Sequence, residues 1–182
     1  MHDQSLHSIH RLVWIALMAA LTAVGAVISI PLPVSPVPVT LQTMFVLLSG
    51  LILGPRAGAF AMILYLGAGC LGLPVFTGGK SGLAAFLGPT GGFLLGFVPA
   101  AMFCGFAKSD PVKPFAAILA YCGLATCITL LLGTLQLSAV LQVSVTKAVA
   151  VGAVPFLPGG IAKCFAAAFI YRFLAARRLI PA

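Results

Sequence analysis

The stretch LVWIALMAALTAVGAVISI at residues 12–30, followed at once by PLPVSPVP at 31–38, decides the fold class. An uncharged run of this length is close to the roughly 20 residues a helix needs to cross the hydrocarbon of a bilayer. The prolines behind it cannot continue that helix, since each lacks a backbone N–H and clashes with the preceding turn. A cleaved signal peptide would have an apolar core of only about 7–15 residues. This core is longer, and five further apolar stretches follow it, so an inserted first span is expected.

The rest of the chain agrees. Of 182 residues, 62% are apolar and 7% charged, against about 45–50% and about 25% in ordinary soluble domains. Mean hydropathy is +1.20. A soluble domain of this size still exposes roughly a third of its surface to water, which this composition cannot supply. Six spans are expected, at about 12–30, 41–53, 57–71, 91–106, 115–135 and 160–174, forming one all-helical integral-membrane domain over 1–182. The second and third are rich in Gly and Ala, which let backbones approach closely in lipid. Residues 73–90 carry Gly, Pro and polar side chains and read as a long ordered loop.

Charge fixes the topology. Ten Lys and Arg face two Asp and Glu. With six spans and both termini cytoplasmic, Arg11, Arg56, Lys108, Lys113, Arg172, Arg177 and Arg178 all fall inside, as the positive-inside rule asks. Residues 137–154 are apolar enough for a seventh span despite Gln142, Thr146 and Lys147, but that span would put the last three arginines outside. The segment is therefore expected to face outward or re-enter, packed on the bundle, and the ordered outer loops to cap a pocket.

Several function classes drop out. Asp3 and Asp110 lie outside the apolar runs, and His2, His7 and His10 precede the first span, so no proton relay stands at membrane depth. Paired-carboxylate catalysis is excluded likewise. Cys70, Cys104, Cys122, Cys127 and Cys164 form no C-x-x-C pair and read as small hydrophobes, so neither metal nor cofactor is expected. The cations are scattered singly, unlike a nucleic-acid footprint. Gly79-Lys80-Ser81 imitates the end of a phosphate-binding loop, but the first glycine of that pattern is replaced by Pro74 and no strand precedes it.

Three cations disobey the topology: Lys80 in the long outer loop, Lys147 in the 137–154 segment, and Lys163 one turn into the sixth span. Snorkelling to the interface accounts for Lys147. Lys163 differs, because Pro158-Gly159-Gly160 opens its helix and aims free N–H groups and the positive dipole end at the same place. With no carboxylate as counter-ion, it awaits an acceptor brought by a ligand. In the first span, Ala16/Ala20 and Ala19/Ala23 set small residues four apart, a docking face for another helix of this chain or for a separate protein.

These motifs resemble BioY, the family of biotin-specific substrate-binding subunits of energy-coupling-factor (ECF) transporters, over nearly the whole chain. The similarity is most specific in Gly72-Leu-Pro-Val-Phe76-Thr-Gly-Gly79-Lys-Ser-Gly82 and Leu87-Gly-Pro-Thr90-Gly-Gly-Phe93. It extends to Pro33–Thr43, Leu53-Gly-Pro-Arg56 and Pro155-Phe-Leu-Pro158-Gly159. The resemblance implies a six-helix subunit of the bacterial cytoplasmic membrane that binds biotin on the outer side. It also implies docking through the Ala16/Ala20 face on a transmembrane coupling protein, which rests on two ATPase subunits. Energy would then come from those partners, and biotin would be cargo, not cofactor.

The same resemblance suggests Lys163 at the ureido head of biotin and Lys80 near its carboxylate, with Gln42, Thr90, Gly159 and Gly160 close by. Phe76, Phe93 and possible wall residue Tyr65 would supply apolar surface. One position departs: the family motif Pro-Gly-Asp-x-x-Lys is here Pro158-Gly159-Gly160-Ile-Ala-Lys163. The missing acceptor would be replaced by Gln42, Thr90, a main-chain carbonyl freed by Gly159-Gly160, or water. A subunit for another vitamin and a biotin carrier that works without ATPases are the alternatives; a membrane enzyme or channel lacks its polar constellation at depth.

Overall fold

The computed structural model describes residues 2–109 and 111–181, with side chains from Ile9 onward; Asp110 and the side chains of His2, Asp3 and His7 lie outside it. Among the described residues, six longer helices are α1 (His2–Val27), α2 (Gln42–Leu53), α3 (Pro55–Cys70), α5 (Gly91–Gly105), α6 (Phe115–Leu141) and α8 (Leu157–Ala176). Two short ones, α4 (Ala84–Leu87) and α7 (Val145–Gly152), lie in the connections.

The proline run is more ordered than the sequence suggests. α1 stops at Val27, not Ile30, and β1 (Ser29–Leu32) pairs antiparallel with β2 (Ser35–Thr40), Ser29 opposite Thr40 and Ile30 opposite Val39. Prolines are tolerated because a two-stranded ribbon is all edge. The ribbon turns back onto the helix it leaves: the Leu41 N–H donates to the carbonyls of Gly25 and Ile28, both at 3.1 Å. Those carbonyls would otherwise be left unpaired at the end of α1.

The expected fifth span also shifts. α6 runs on past Leu135 to Leu141 and ends where Gln142 adopts a left-handed φ of 52°. The chain then forms α7, whose first turn is capped by the Ser144 hydroxyl accepting from the Lys147 N–H at 3.4 Å. At eight residues, or about 12 Å, α7 is too short to cross a membrane. It folds back on α6, with Gly152 seated against Leu137 and Thr134.

Length divides the crossing helices into two kinds. The stretches Ile9–Val27, Phe115–Leu141 and Val145–Ala176, the last running from α7 through α8, are long and apolar enough to cross. α2, α3 and α5 have 12, 16 and 15 residues, about 18–24 Å against a hydrocarbon thickness of roughly 30 Å. α2 is apolar on every side and nine of its residues are buried, the mark of a helix surrounded by protein; it touches α1, α3, α5 and α8. A Cβ on Gly50 would strike the Ala101 carbonyl, and one on Gly105 would strike Pro55. This backbone contact aligns α2, α3 and α5 at one end, so their shortfall opens at the other.

The aligned end is the cationic one. Lys108 Nζ donates to the Pro181 carbonyl at 3.0 Å, and Lys113 Nζ to the Phe106 carbonyl at 3.3 Å. Arg172 lies 6.0 Å from the centre of the Phe115 ring and Arg177 lies 4.3 Å from that of Phe173. Burial, and then the nearby Arg11, hold Lys108 below the ordinary lysine range. In the core, the Cys104 and Cys122 sulfurs stand 3.8 Å apart, well beyond the roughly 2.05 Å of a disulfide.

Candidate ligand-binding site

Where the short helices stop, the molecule holds a cavity lined by the ribbon, the long loop, α2, α5, α6 and α8. The N-termini of α2, α5 and α8 all reach it, through Gln42, Thr90 and Gly160. None of the three carries a side-chain cap. Each presents the positive end of its helix dipole to the cavity. Two lysines, Lys80 and Lys163, line the same space, and no lining residue is acidic. The cavity is therefore electropositive by construction and suited to an anion.

Gln42 is placed by α1. A Cβ on Gly25 would lie 2.9 Å from the Gln42 nitrogen, so glycine there lets the start of α2 press against α1. The Gln42 side chain is 2% exposed. Its Oε1 accepts from Thr77 Oγ1 at 3.0 Å and Thr40 Oγ1 at 3.2 Å, and its Nε2 donates to the Tyr65 hydroxyl. The Tyr65 hydroxyl in turn donates to the Val75 carbonyl at 3.2 Å. This network ties β2, α2, α3 and the long loop together.

The loop is a folded cover. Phe76 packs edge-on to Tyr65 and Phe86, with ring centres 5.6 Å away in each case. It lies directly over Gly69, where any Cβ would collide with the ring. The Gly82 N–H donates to the Gly69 carbonyl at 2.7 Å, and Gln136 on α6 donates to the carbonyls of Phe86 and Gly88. On the opposite wall Phe93, one turn into α5, covers Gly133 and stands 6.0 Å from the Phe156 ring.

Lys163 is the seventh residue of α8, which begins at Leu157 and so includes Pro158, Gly159 and Gly160 in its first turn. It is nearly two turns from the helix start, further than the sequence reading had it. Gly160 lies one turn before it on the same face, and both line the cavity. Lys163 is half-buried, and no described residue hydrogen-bonds or ion-pairs with its side chain. Lys80 is exposed at the mouth, whereas Lys147 lies exposed on α7, outside the lining.

The structure thus brings together Gln42, Phe76, Lys80, Thr90, Phe93, Gly160 and Lys163. Two of the expected residues stand back from the cavity. Tyr65 is no wall; it braces Gln42 from behind. Gly159 faces the ribbon, its Cβ position 3.7 Å from Val39. Gln42 also cannot serve as a vacant acceptor, because two threonines already occupy its oxygen. Sequence reading missed Val37 and Pro38 of the ribbon, Phe156, and the threonines Thr77, Thr126 and Thr129. The available signal was two threonines three apart on one face of α6, in its otherwise apolar first half.

The four alanines of α1 divide. Ala16 and Ala20 are exposed, beside Leu12, Val13, Leu17 and Val24. Ala19, 7% exposed, packs inward with Met18, and Ala23 is half-buried. The outward face is therefore Ala16/Ala20, and Ala19 serves the interior.

Comparison with known proteins agrees with this architecture. The family model described as BioY family matches residues 1–181. The probable biotin transporter BioY of Pyrococcus horikoshii is 38% identical over 156 residues, covering 86% of this chain and 90% of its own. The biotin transporter BioY of Thermotoga maritima is 39% identical over 160 residues, covering 88% and 92%. Among solved structures, the S-component for biotin from an ECF-type ABC transporter superposes with a TM-score of 0.88 at 26% identity, covering 97% of this chain and 94% of that one. A match that spans the short buried helices, the loop cover and the lysine on α8 alike leaves one assignment: this membrane protein belongs to the BioY family.

Proposed function

We propose that the chain captures biotin and passes it across the cytoplasmic membrane of a bacterium as the substrate-binding subunit of an ECF-type transporter. The observation that carries the reading is the cavity: three uncapped helix N-termini and two lysines converge on it without a carboxylate. Biotin has an anionic tail, an apolar ring and a small polar ureido head. Phe76 and Phe93 form apolar walls for the ring. Lys163, deep on α8, donates to the ureido carbonyl; Lys80, at the mouth, meets the carboxylate. The cationic end faces the cytoplasm under the positive-inside rule, which directs the cavity outward. The exposed Ala16/Ala20 face docks on a transmembrane coupling protein carried by two ATPases, and the chain itself needs no cofactor. Relatives named as biotin transporters support the cargo, and the likeness to an S-component supports the division of labour.

The test is equilibrium biotin binding to purified wild-type, Lys163→Ala and Lys80→Ala proteins. Removing a charged donor from an enclosed site costs roughly 1.5–3 kcal/mol, or about 10- to 100-fold in affinity. Lys163→Ala is expected in that range and Lys80→Ala, more exposed, at about tenfold or less. Unchanged affinity in both would overturn the site assignment. Uptake of labelled biotin by cells with and without a co-expressed ATPase module tests the partner requirement; equal uptake would favour a self-sufficient carrier.

A further inference from the structure

The cavity is rich in donors and poor in acceptors, yet a ureido ring carries two N–H groups that must be met. An N–H buried without a partner costs about ten- to a hundredfold in affinity. Gln42 Oε1 is already filled by Thr40 and Thr77. Thr40 and Thr77 keep oxygens that can accept beside Gln42, and two further fixed acceptors stand on α6, which packs against the lysine-bearing α8. Thr126 commits its proton to the Cys122 carbonyl at 2.9 Å, and Thr129 commits its own to the Ala125 carbonyl at 3.3 Å. A hydroxyl has one proton and two lone pairs, so each oxygen still has a lone pair to offer, although Thr126 shares its oxygen with the Cys164 thiol, and the back-bond to the helix holds each in position.

Their location matches the lysine. Thr126 Oγ1 lies 3.4 Å from Cys164 Sγ, the residue after Lys163. Thr126 Cγ2 is 3.5 Å from the Cβ position of Gly160, one turn before that lysine. Both threonines line the cavity. At a spacing of three residues on one helix face, their Cβ atoms stand roughly 5–6 Å apart, so both hydroxyls can face the same small ring. The geometry points to Thr126 and Thr129 as the acceptor pair that reads the two ureido N–H groups while Lys163 reads the carbonyl between them. This assignment rests on the biotin reading above and adds the specificity-determining residues on α6.

The experiment is titration of the purified full chain with biotin and with a biotin analogue methylated on a ureido nitrogen, using wild type, Thr126→Val, Thr129→Val and Thr126→Ser. Valine keeps the shape and removes the acceptor. Each valine variant is expected to lose about tenfold in biotin affinity, and Thr126→Ser to stay within about threefold of wild type. Against the methylated analogue, wild type should already be weakened, and at least one valine variant should add little further loss, as a double-mutant cycle requires for a direct contact. Equal losses for both ligands in both variants would mean a structural role and overturn the assignment. So would unchanged biotin affinity in both valine variants while wild type binds normally. Wild type that fails to bind biotin would overturn the functional reading itself, and this assignment with it.

Discussion

At the level of single residues, the cavity lining is braced from behind by Tyr65, which does not itself line it. Tyr65 anchors Gln42, and Gln42 gathers Thr40 and Thr77, so the loop and the ribbon share one buried side chain. Tyr65→Phe should therefore lower biotin affinity by about three- to tenfold and stability by roughly 1 kcal/mol, read by titration and by thermal unfolding in detergent. A Tyr65→Phe protein with wild-type affinity would show that the brace is dispensable. Gly69→Ala should be more severe. Its added methyl falls on the Phe76 ring, and overpacking of this kind costs typically about 1–3 kcal/mol, here borne by the loop that covers the cavity. Charge topology singled out Lys163 and Lys80, and the family resemblance added Phe76 and Phe93. Neither could reveal that Tyr65 stands behind Gln42, since a contact between residues 23 apart has no periodic signature.

At the scale of elements, the decisive property is that α2, α3 and α5 are short. The sequence made this visible in α2, whose apolar run closes at Gly54-Pro55. It did not show that the shortfall would become the cavity, which depends on the Gly50 and Gly105 contacts aligning the opposite ends. The ribbon was illegible for a different reason: four prolines forbid a helix but do not specify which strand edges meet. On α1 the alternation of exposed and buried alanines separates docking from folding. Ala16→Leu and Ala20→Leu should abolish most ATPase-dependent uptake while leaving biotin binding by the isolated chain within about twofold. Ala19→Leu, on the buried side, should instead destabilise the protein by about 1–3 kcal/mol. Loss of binding in the first pair, or an undisturbed Ala19→Leu, would reverse the assignment of the two faces.

Across the whole molecule, charge separates two ends with different tasks. Arg11, Lys108, Lys113, Arg172 and Arg177 gather at one, while Lys80 and Lys163 serve the cavity at the other. The count of cations and spans made this polarity readable from sequence, because the bilayer penalises the alternative arrangements. In intact cells, a cysteine placed at Lys113 should resist a membrane-impermeant thiol reagent, and one placed at Lys80 should react, provided the exposed Cys127 is first replaced. The reverse pattern would invert the topology. The claim that joins these scales is that the electropositive, carboxylate-free cavity selects biotin. It is tested most directly by titrating the purified chain separately with biotin, thiamine and riboflavin. Biotin should bind saturably at one site per chain, with no comparable binding of the other two; preference for thiamine or riboflavin, or failure to bind biotin, would overturn that claim.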